Sequence, residues 1–438
     1  AGMVFCWGSN TNGQLGNGTT TNSTTPVAVS MPAGVTFVSI VTSSTSTCAL
    51  TSTGVVYCWG SNTSGQLGNS TTTSSTTPVA VTMPTGVTFT AISAGFNHFC
   101  ALTTNGDVYC WGSNSAGQLG NGSTTNSATP VAVTMPAGVT FVEIRAGADQ
   151  TCALTASGDV YCWGNNSSGQ LGNGSTTNST TPVAVTMPAG VTFVSISLGT
   201  GHTCALTSTG IAYCWGGNSN GQLGNGTTTS STTPTIVTMP AGITFVIINL
   251  GGNHTCALTS AGTTFCWGAN ANGQLGTGTT TGSTTPTAVI MPFGFTFSIL
   301  VVGNTHTCAL TNAGVAFCWG NNSGGQLGSC TLLNATAPTR VVACVPPPTS
   351  TRTFTSTRTF TNTRTLTRSA TPIPVSWGSF TQISTGGAQT CALNSAGMVF
   401  CWGSNTNGQL GNGTTTNSTT PVAVSMPAGV TFVSIVTS

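Results

Sequence analysis

Apolar residues in this chain come in short bursts, and the bursts recur in groups of four. One group is Phe37-Val38-Ser39-Ile40, then Cys48-Ala49-Leu50-Thr51, then Val55-Val56-Tyr57-Cys58-Trp59, then Pro78-Val79-Ala80-Val81. Each burst is strand length, and the residues between are Gly, Asn, Ser and Thr, the composition of tight turns. Gly and Asn stand where a turn needs positive φ, as at Asn62 and in Gly65-Gln66-Leu67-Gly68. No segment carries the 3.6-residue apolar period of an amphipathic helix, so the pattern predicts four short strands per group and an all-β chain.

The groups repeat on a fixed period. Cys-Trp-Gly recurs with Trp7, Trp59, Trp111, Trp163, Trp215, Trp267 and Trp319, each step being 52 residues. The next such Trp is Trp402, 83 residues on, and residues 396–438 then repeat residues 1–43 letter for letter. A second period of 395 residues is therefore laid over the first, and seven units of 52 leave 31 residues of it, the segment from Val345 to Val375. Four-stranded units of about 50 residues are the size of propeller blades.

The expected fold is thus an all-β, seven-bladed β-propeller of four-stranded blades, repeated as tandem modules of 395 residues with an extended Thr-rich linker between them. Residues 1–344 read as one propeller lacking its first two strands and residues 345–375 as the Pro/Thr-rich linker. Residues 376–438 read as the first blade and the start of the second blade of the next identical propeller. The opening Ala1-Gly2-Met3-Val4-Phe5-Cys6 falls in mid-hairpin, so a longer protein is expected.

The unit Gly-x-x-His-Thr-Cys-Ala-Leu, a turn, then Cys-Trp-Gly-x-Asn-x-x-Gly-Gln-Leu-Gly resembles the regulator of chromosome condensation repeat. His202, Leu206, Trp215, Gly216, Asn218, Gly221, Gln222, Leu223 and Gly224 occupy that family's positions at its spacing. The resemblance covers all seven units and implies a seven-bladed propeller, in agreement with the count from the period. It also implies that the Trp residues pack between blades, in preference to a light-sensing or carbohydrate-stacking array. The family's best-known activity, guanine nucleotide exchange on a small nuclear GTPase, depends on charged loops and a wedge that this sequence does not show, and it is not carried over.

Charge narrows the partners. Only 2% of residues are Asp, Glu, Lys or Arg, against about 25% in an ordinary soluble domain. A net charge of +2 with no Lys provides no field to gather a polyanion, so no nucleic-acid partner is expected. The most apolar stretch, around Phe297 to Val302, is far short of the roughly 20 residues a helix needs to cross a bilayer. The abundant Thr, Ser and Asn would be solvated, glycosylated or buried against neighbours, and all three point to an extracellular or cell-surface setting.

The 17 Cys change the picture further. Cys48/Cys58, Cys100/Cys110, Cys152/Cys162, Cys204/Cys214, Cys256/Cys266, Cys308/Cys318 and Cys391/Cys401 are each ten residues apart and flank a hairpin turn. Opposed residues on antiparallel strands approach disulfide distance, so each blade is expected to be stapled. A zinc site needs two close Cys pairs converging, which a hairpin repeated round a ring does not provide, so neither metal nor other cofactor is expected. Cys6 is left without a partner, which would lie before residue 1. Cys330 and Cys344 break the pattern and read as a bridge locking the last blade where the chain leaves the ring.

In the linker every second residue is Thr: Thr349, Thr351, Thr353, Thr355, Thr357, Thr359, Thr361, Thr363, Thr365 and Thr367. Strict alternation puts them on one face of an extended chain. Two readings stand: an O-glycosylated spacer bearing sugar on those Thr, or a strand whose Phe354, Phe360 and Leu366 dock on an adjacent propeller. Asn17, Asn69, Asn121, Asn173 and Asn225 are Asn-x-Ser/Thr sequons at one loop position, candidates for N-glycans round one rim.

Catalytic candidates are few. His98, His202, His254 and His306 share one repeat position with Ser46, Gln150 and Gln389, and each is expected to hydrogen-bond within its own blade. Asp107, Glu143, Asp149 and Asp159 are the acidic residues, and Asp107 and Asp159 are equivalent turn positions. No Ser-His-Asp set, phosphate loop or metal motif is present, so no enzyme is expected. The expected function is structural: a subunit of a glycosylated extracellular filament or appendage whose partners are copies of itself. The alternative is an extracellular binding or adhesion module, lectin-like or protein-binding.

Overall fold

The computed structural model describes residues 3–344 and 377–437. Seven four-stranded antiparallel sheets span residues 37–80, 89–132, 141–184, 195–236, 247–288, 297–340 and 380–423, numbered here as blades one to seven. In each, the strands pair in chain order as a meander. The protein is an all-β, seven-bladed propeller of four-stranded blades, and no helix occurs among the described residues. One further sheet, of two strands, pairs Phe5–Gly8 with Ser23–Ala28.

The first strands of neighbouring blades run side by side round the axis, held by bonds such as Ala146 N to Ser93 Oγ at 2.9 Å and Asn249 Nδ2 to the Leu300 carbonyl at 2.7 Å. Second strands are buried along their whole length, as in Ser46–Thr51 and His98–Thr103. The pairing of second and third strands is in strict register, with Cys152 opposite Cys162 and Thr151 opposite Trp163. Between third and fourth strands the register shifts at the Gly of Cys-Trp-Gly. Gly60 has φ +103°, and a Cβ there would lie 2.6 Å from the Thr45 carbonyl oxygen, so only Gly fits the bulge.

The core lies between blades. Trp111 of blade two packs with Cys48, Leu50, Val56, Cys58, Leu67 and Val81 of blade one, and stacks on Phe89 of its own blade with ring centroids 6.2 Å apart. Seven further clusters repeat this arrangement in whole or in part, from blade to blade and across the two-stranded sheet. Gly68 sits under the Trp111 indole, 2.9 Å from where a Cβ would stand to Cδ1. A small residue is therefore required wherever Gln-Leu-Gly meets the next blade's Trp. Burying a large apolar side chain is worth about 1.5–3 kcal/mol, so these interfaces supply much of the stability.

The order of blades departs from the expected one in a specific way. The complete blades are those of Trp59 to Trp319 and of Trp402, while the unit of Trp7 contributes the two-stranded sheet. Residues 396–438 are identical to 1–43, and 380–395 supply the first two strands of the Trp402 unit. Blade seven packs on blade six through Thr390, whose Oγ1 donates to the Gln326 carbonyl at 3.0 Å. On its other side Trp7 Nε1 donates to the Gln409 carbonyl at 3.0 Å. The two-stranded sheet thus stands between blades seven and one and completes the circuit.

Candidate functional site

Every expected hairpin pair within the blades is joined. Cys48–Cys58, Cys100–Cys110, Cys152–Cys162, Cys204–Cys214, Cys256–Cys266, Cys308–Cys318 and Cys391–Cys401 are disulfides, with Cα atoms 4.1 Å apart. Strict second-to-third-strand register brings them together. Cys330–Cys344 is also bonded, closing a loop over the fourth strand of blade six. Cys330 N donates to the Thr419 carbonyl of blade seven at 2.8 Å, so this bridge sits on a blade interface.

The histidines hydrogen-bond across blades, and the expectation of bonds within one blade is corrected. His98 Nε2 lies 3.0 Å from Thr151 Oγ1, His202 Nε2 3.0 Å from Thr255, His254 Nε2 3.1 Å from Thr307 and His306 Nε2 3.1 Å from Thr390. Each Thr belongs to the following blade. Its Oγ1 donates back to a Gln carbonyl, Thr151 to Gln118 at 3.0 Å and Thr255 to Gln222 at 2.9 Å. The same carbonyl of Gln118 accepts Trp163 Nε1 at 3.0 Å.

This accounting fixes the tautomer. A hydroxyl has one proton, and Thr151 gives it to Gln118, so His98 Nε2 must be the donor to Thr151 and Nδ1 carries no proton. Nδ1 of all four histidines is buried without a partner. Burial pushes His98, His202 and His306 down to about 4, and His254 to about 3, the charges of His306 and His202 adding to burial there. The imidazoles are neutral rivets between blades. Sequence reasoning found their common position but missed Thr151, Thr255, Thr307 and Thr390. The signal was present in the Thr that precedes the second-strand Cys in every blade but the second, where Phe99 stands.

Asn218 is another residue type whose role only the structure shows. Wholly buried, it accepts from Leu223 N at 2.9 Å through Oδ1 and donates from Nδ2 to the carbonyls of Thr227 at 3.1 Å and Thr229 at 2.9 Å. Asn62, Asn114, Asn166 and Asn405 repeat it. The sequon residues belong to the same loop. Asn17, Asn69 and Asn225 each accept from the Thr two residues on, at 2.8, 2.8 and 2.9 Å, and Asn121 and Asn173 from Ser at 3.2 and 3.1 Å. All five are half-buried turn residues.

The acidic residues stay apart. Glu143 pairs with Arg145 at 2.7 Å, Asp159 Oδ2 accepts from Ser157 Oγ at 2.6 Å, and Asp149, whose carboxyl is raised by burial, accepts from Gln118 Nε2 at 3.4 Å. Among the described residues no three His, Cys, Asp or Glu stand together as a metal-ligand group, and no helix is long and apolar enough to cross a membrane. The linker candidates Thr349 to Thr367, with Phe354, Phe360 and Leu366, lie outside the described residues.

One large pocket, of about 920 Å³, opens beside the two-stranded sheet. Phe5–Gly8 form one wall, Val430–Thr437 the opposite one, and Ser43–Thr47 of blade one and Gln389 of blade seven flank it. Cys6, which has no disulfide, faces in, its thiol pushed up by burial to about 12.

The RCC1-like domain family matches residues 1–300 of the chain. The ultraviolet-B receptor UVR8 of Arabidopsis thaliana is 33% identical over 330 residues, 75% of this chain and 75% of that protein. This chain belongs to the RCC1-like repeat family. Regulator of chromosome condensation (RCC1) repeats also match at residues 298–326, 380–409 and 396–438. A second RCC1-like relative, the human E3 ubiquitin-protein ligase HERC2, is 29% identical over 349 residues, 79% of this chain but only 7% of the ligase. Two solved structures share the fold: human WBSCR16, at TM-score 0.65 and 24% identity, covering 78% of this chain and 94% of that one, and Prp20p of Saccharomyces cerevisiae, at 0.63 and 20%, covering 87% and 88%. The disulfide in each blade of this RCC1-like chain is consistent with an oxidising, extracellular setting.

Proposed function

We propose that this RCC1-like chain is a structural, non-enzymatic unit of an extracellular assembly in which identical propellers follow one another, joined by residues 345–375 and associating with copies of themselves. On this reading residues 376–438, which stand here as the blade beside blade six, are the equivalent of the next propeller's opening, and the Thr-rich linker and the rim sequons carry glycans. The observation that carries it is the disulfide at one position in every four-stranded blade. A staple so repeated serves durability, each short bridge contributing roughly 2–3 kcal/mol by the loop-entropy argument. Letter-perfect repetition of residues 1–43 and the near absence of charge support it. Electron microscopy of native material tests it: a filament with an axial repeat is the expected result, and dispersed single particles would remove the idea.

A second reading, a protein-binding module, is favoured by one observation. Val38, Val142, Val194 and Val246 occupy one repeat position at the start of the inner strands and are each more than half exposed. Val142, Val194 and Val246 fall on three successive blades, an exposed apolar series of the kind that marks contact surfaces, and a related RCC1 structure, that of yeast Prp20, is of a complex with Kap60. Selective binding of isolated propellers on a protein array, abolished by Val→Ser changes along this series, would rank this reading first.

A further inference from the structure

Between Asp159 and Arg340 the chain has no Asp, Glu, Lys or Arg, so blades four to six form an arc with no fixed charge before its last residue. The groups in it that acid can charge are buried. His202, His254 and His306 are wholly enclosed, and each crosses to the next blade, His202 to Thr255 at 3.0 Å and His254 to Thr307 at 3.1 Å. Nε2 is committed to these bonds, which leaves Nδ1 as the place for a second proton. Nδ1 has no partner. Gly199 and Gly251 leave no room for one, since a Cβ on either would stand 2.7 Å from the Nδ1 of its own blade's His.

The surroundings offer no counter-charge. The titratable side chains acting on His254 are His202 and His306, both of its own sign once protonated. Cys256, Cys266, Cys308 and Cys318 are in disulfides, and Tyr213 packs towards blade three. In blade three, Asp149 accepts from Gln118 of blade two, Asp159 accepts from Ser157, and Glu143 pairs with Arg145. Blade seven carries no Asp, Glu, Lys, Arg, His or Tyr, and Arg340 ends the outer strand of blade six. A buried charge without a partner is strongly unfavourable, and like charges in a row add to the cost.

We propose that blades four to six are an acid-operated opening in the ring: protonation of His202 and His254 parts the seams between blades four and five and between five and six, while the disulfide in each blade keeps the parted blades folded. Other seams lack the trigger. At this repeat position the seam between blades one and two has Ser46 and that between three and four has Gln150, neither of which takes up a proton, and His98 stands singly between them. Opening bares Trp267 and Trp319 with the apolar clusters they close, a contact surface hidden at neutral pH. The device belongs to the single ring and does not require a filament.

Indole N–H exchange, followed by NMR on the intact disulfide-bonded chain at pH 7 and pH 5, tests this seam by seam. Trp267 and Trp319 stand at the two seams expected to part, Trp111 and Trp215 at the seams of Ser46 and Gln150, and all four are wholly buried. A freed imidazole, of ordinary pKa 6.5, binds a proton at pH 5, whereas a seated one, held at about 4 or about 3 by burial, does not. Corrected for intrinsic exchange rates, protection at Trp267 and Trp319 should therefore fall about twentyfold for each imidazole released, and that at Trp111 and Trp215 less than about threefold. Return to pH 7 should restore it. The double change His202→Gln and His254→Gln installs the residue that blade three already uses, and should abolish the excess fall with circular dichroism unchanged. Equal falls at all four indoles, an irreversible loss, or an excess fall that persists in the folded double variant would overturn the proposal. The four-indole comparison in the parent chain decides the matter even if the variant does not fold.

Discussion

Replacing Thr255 by Val removes one hydroxyl from a blade interface while keeping its volume, and the consequence can be worked out bond by bond. Thr255 Oγ1 donates to the Gln222 carbonyl at 2.9 Å and accepts from His202 Nε2 at 3.0 Å. The carbonyl keeps Trp267 Nε1 at 2.9 Å and is not orphaned, so that loss costs about 0.5–1.5 kcal/mol. The imidazole fares worse. Its Nδ1 already has no partner, and with Nε2 stranded as well a wholly buried donor adds about 1–3 kcal/mol. Thr203→Val is the internal control, because Thr203 donates to Gln170 at 3.0 Å but faces Gln150, whose Nε2 donates to the Gly199 carbonyl at 3.3 Å. The expected losses are about 2–4 kcal/mol for Thr255→Val and about 1 kcal/mol for Thr203→Val, read by equilibrium urea unfolding with the disulfides intact. His202→Gln in the Thr255→Val background should recover part of the difference. If the two Val variants agree within about 0.5 kcal/mol, the relay from His through Thr to Gln is not what holds the blades together.

Other perturbations probe other parts of the ring. The folded-state pKa of His98, His202 and His306 is about 4 against an ordinary 6.5. Unfolded chains therefore take up protons first, and stability is unaffected above pH 6.5, falls as pH drops through it, and bottoms out below about 4, with each of these His withdrawing about 2 kcal/mol by pH 5. A melting temperature flat between pH 7 and 5 would contradict this. Changing Cys256 and Cys266 together to Ala should cost about 2.5–3 kcal/mol for a bridge spanning ten residues, measured by denaturant unfolding against the parent. Asn218→Ala strands Leu223 N and two carbonyls, and should cost about 2–4 kcal/mol and raise hydrogen exchange at Leu223 before it does so elsewhere.

The features legible in the sequence are those set by period. Strands, turns, blade size and the Cys pairs follow from residues recurring at fixed offsets, because a 52-residue unit that repeats its own pairing must place Cys48 and Cys58 as it places Cys204 and Cys214. Bonds between units also recur at fixed offsets, His to Thr at 53 residues and Thr to Gln at 33, but a period places equivalent residues alike without saying which of them meet across an interface. Thr151 meets His98 and Gln118 across an interface, and nothing local distinguishes a Thr that bridges blades from one on a surface. The His were accordingly assigned to their own blades. Asn225 shows a different limit: a sequon and a turn-forming Asn followed by Thr are the same letters, and only the 2.9 Å bond from Thr227 Oγ1 reveals the turn. That the Trp7 unit has two strands and 376–438 a complete blade is read from the sequence; that this blade packs on blade six is an interface contact, which strand patterning does not encode.

Each interface is polar-coded in one direction only: a blade offers a Gln carbonyl on its leading side and presents a Trp and, in most blades, a Thr on its trailing side. For that carbonyl and indole alone, any two units are compatible neighbours. The Gln carbonyl and Trp indole are matched at every such junction, whereas the His of one blade needs a Thr on the next, so blade two, which carries Phe99 there, can follow only a blade without His, as it follows Ser46 of blade one.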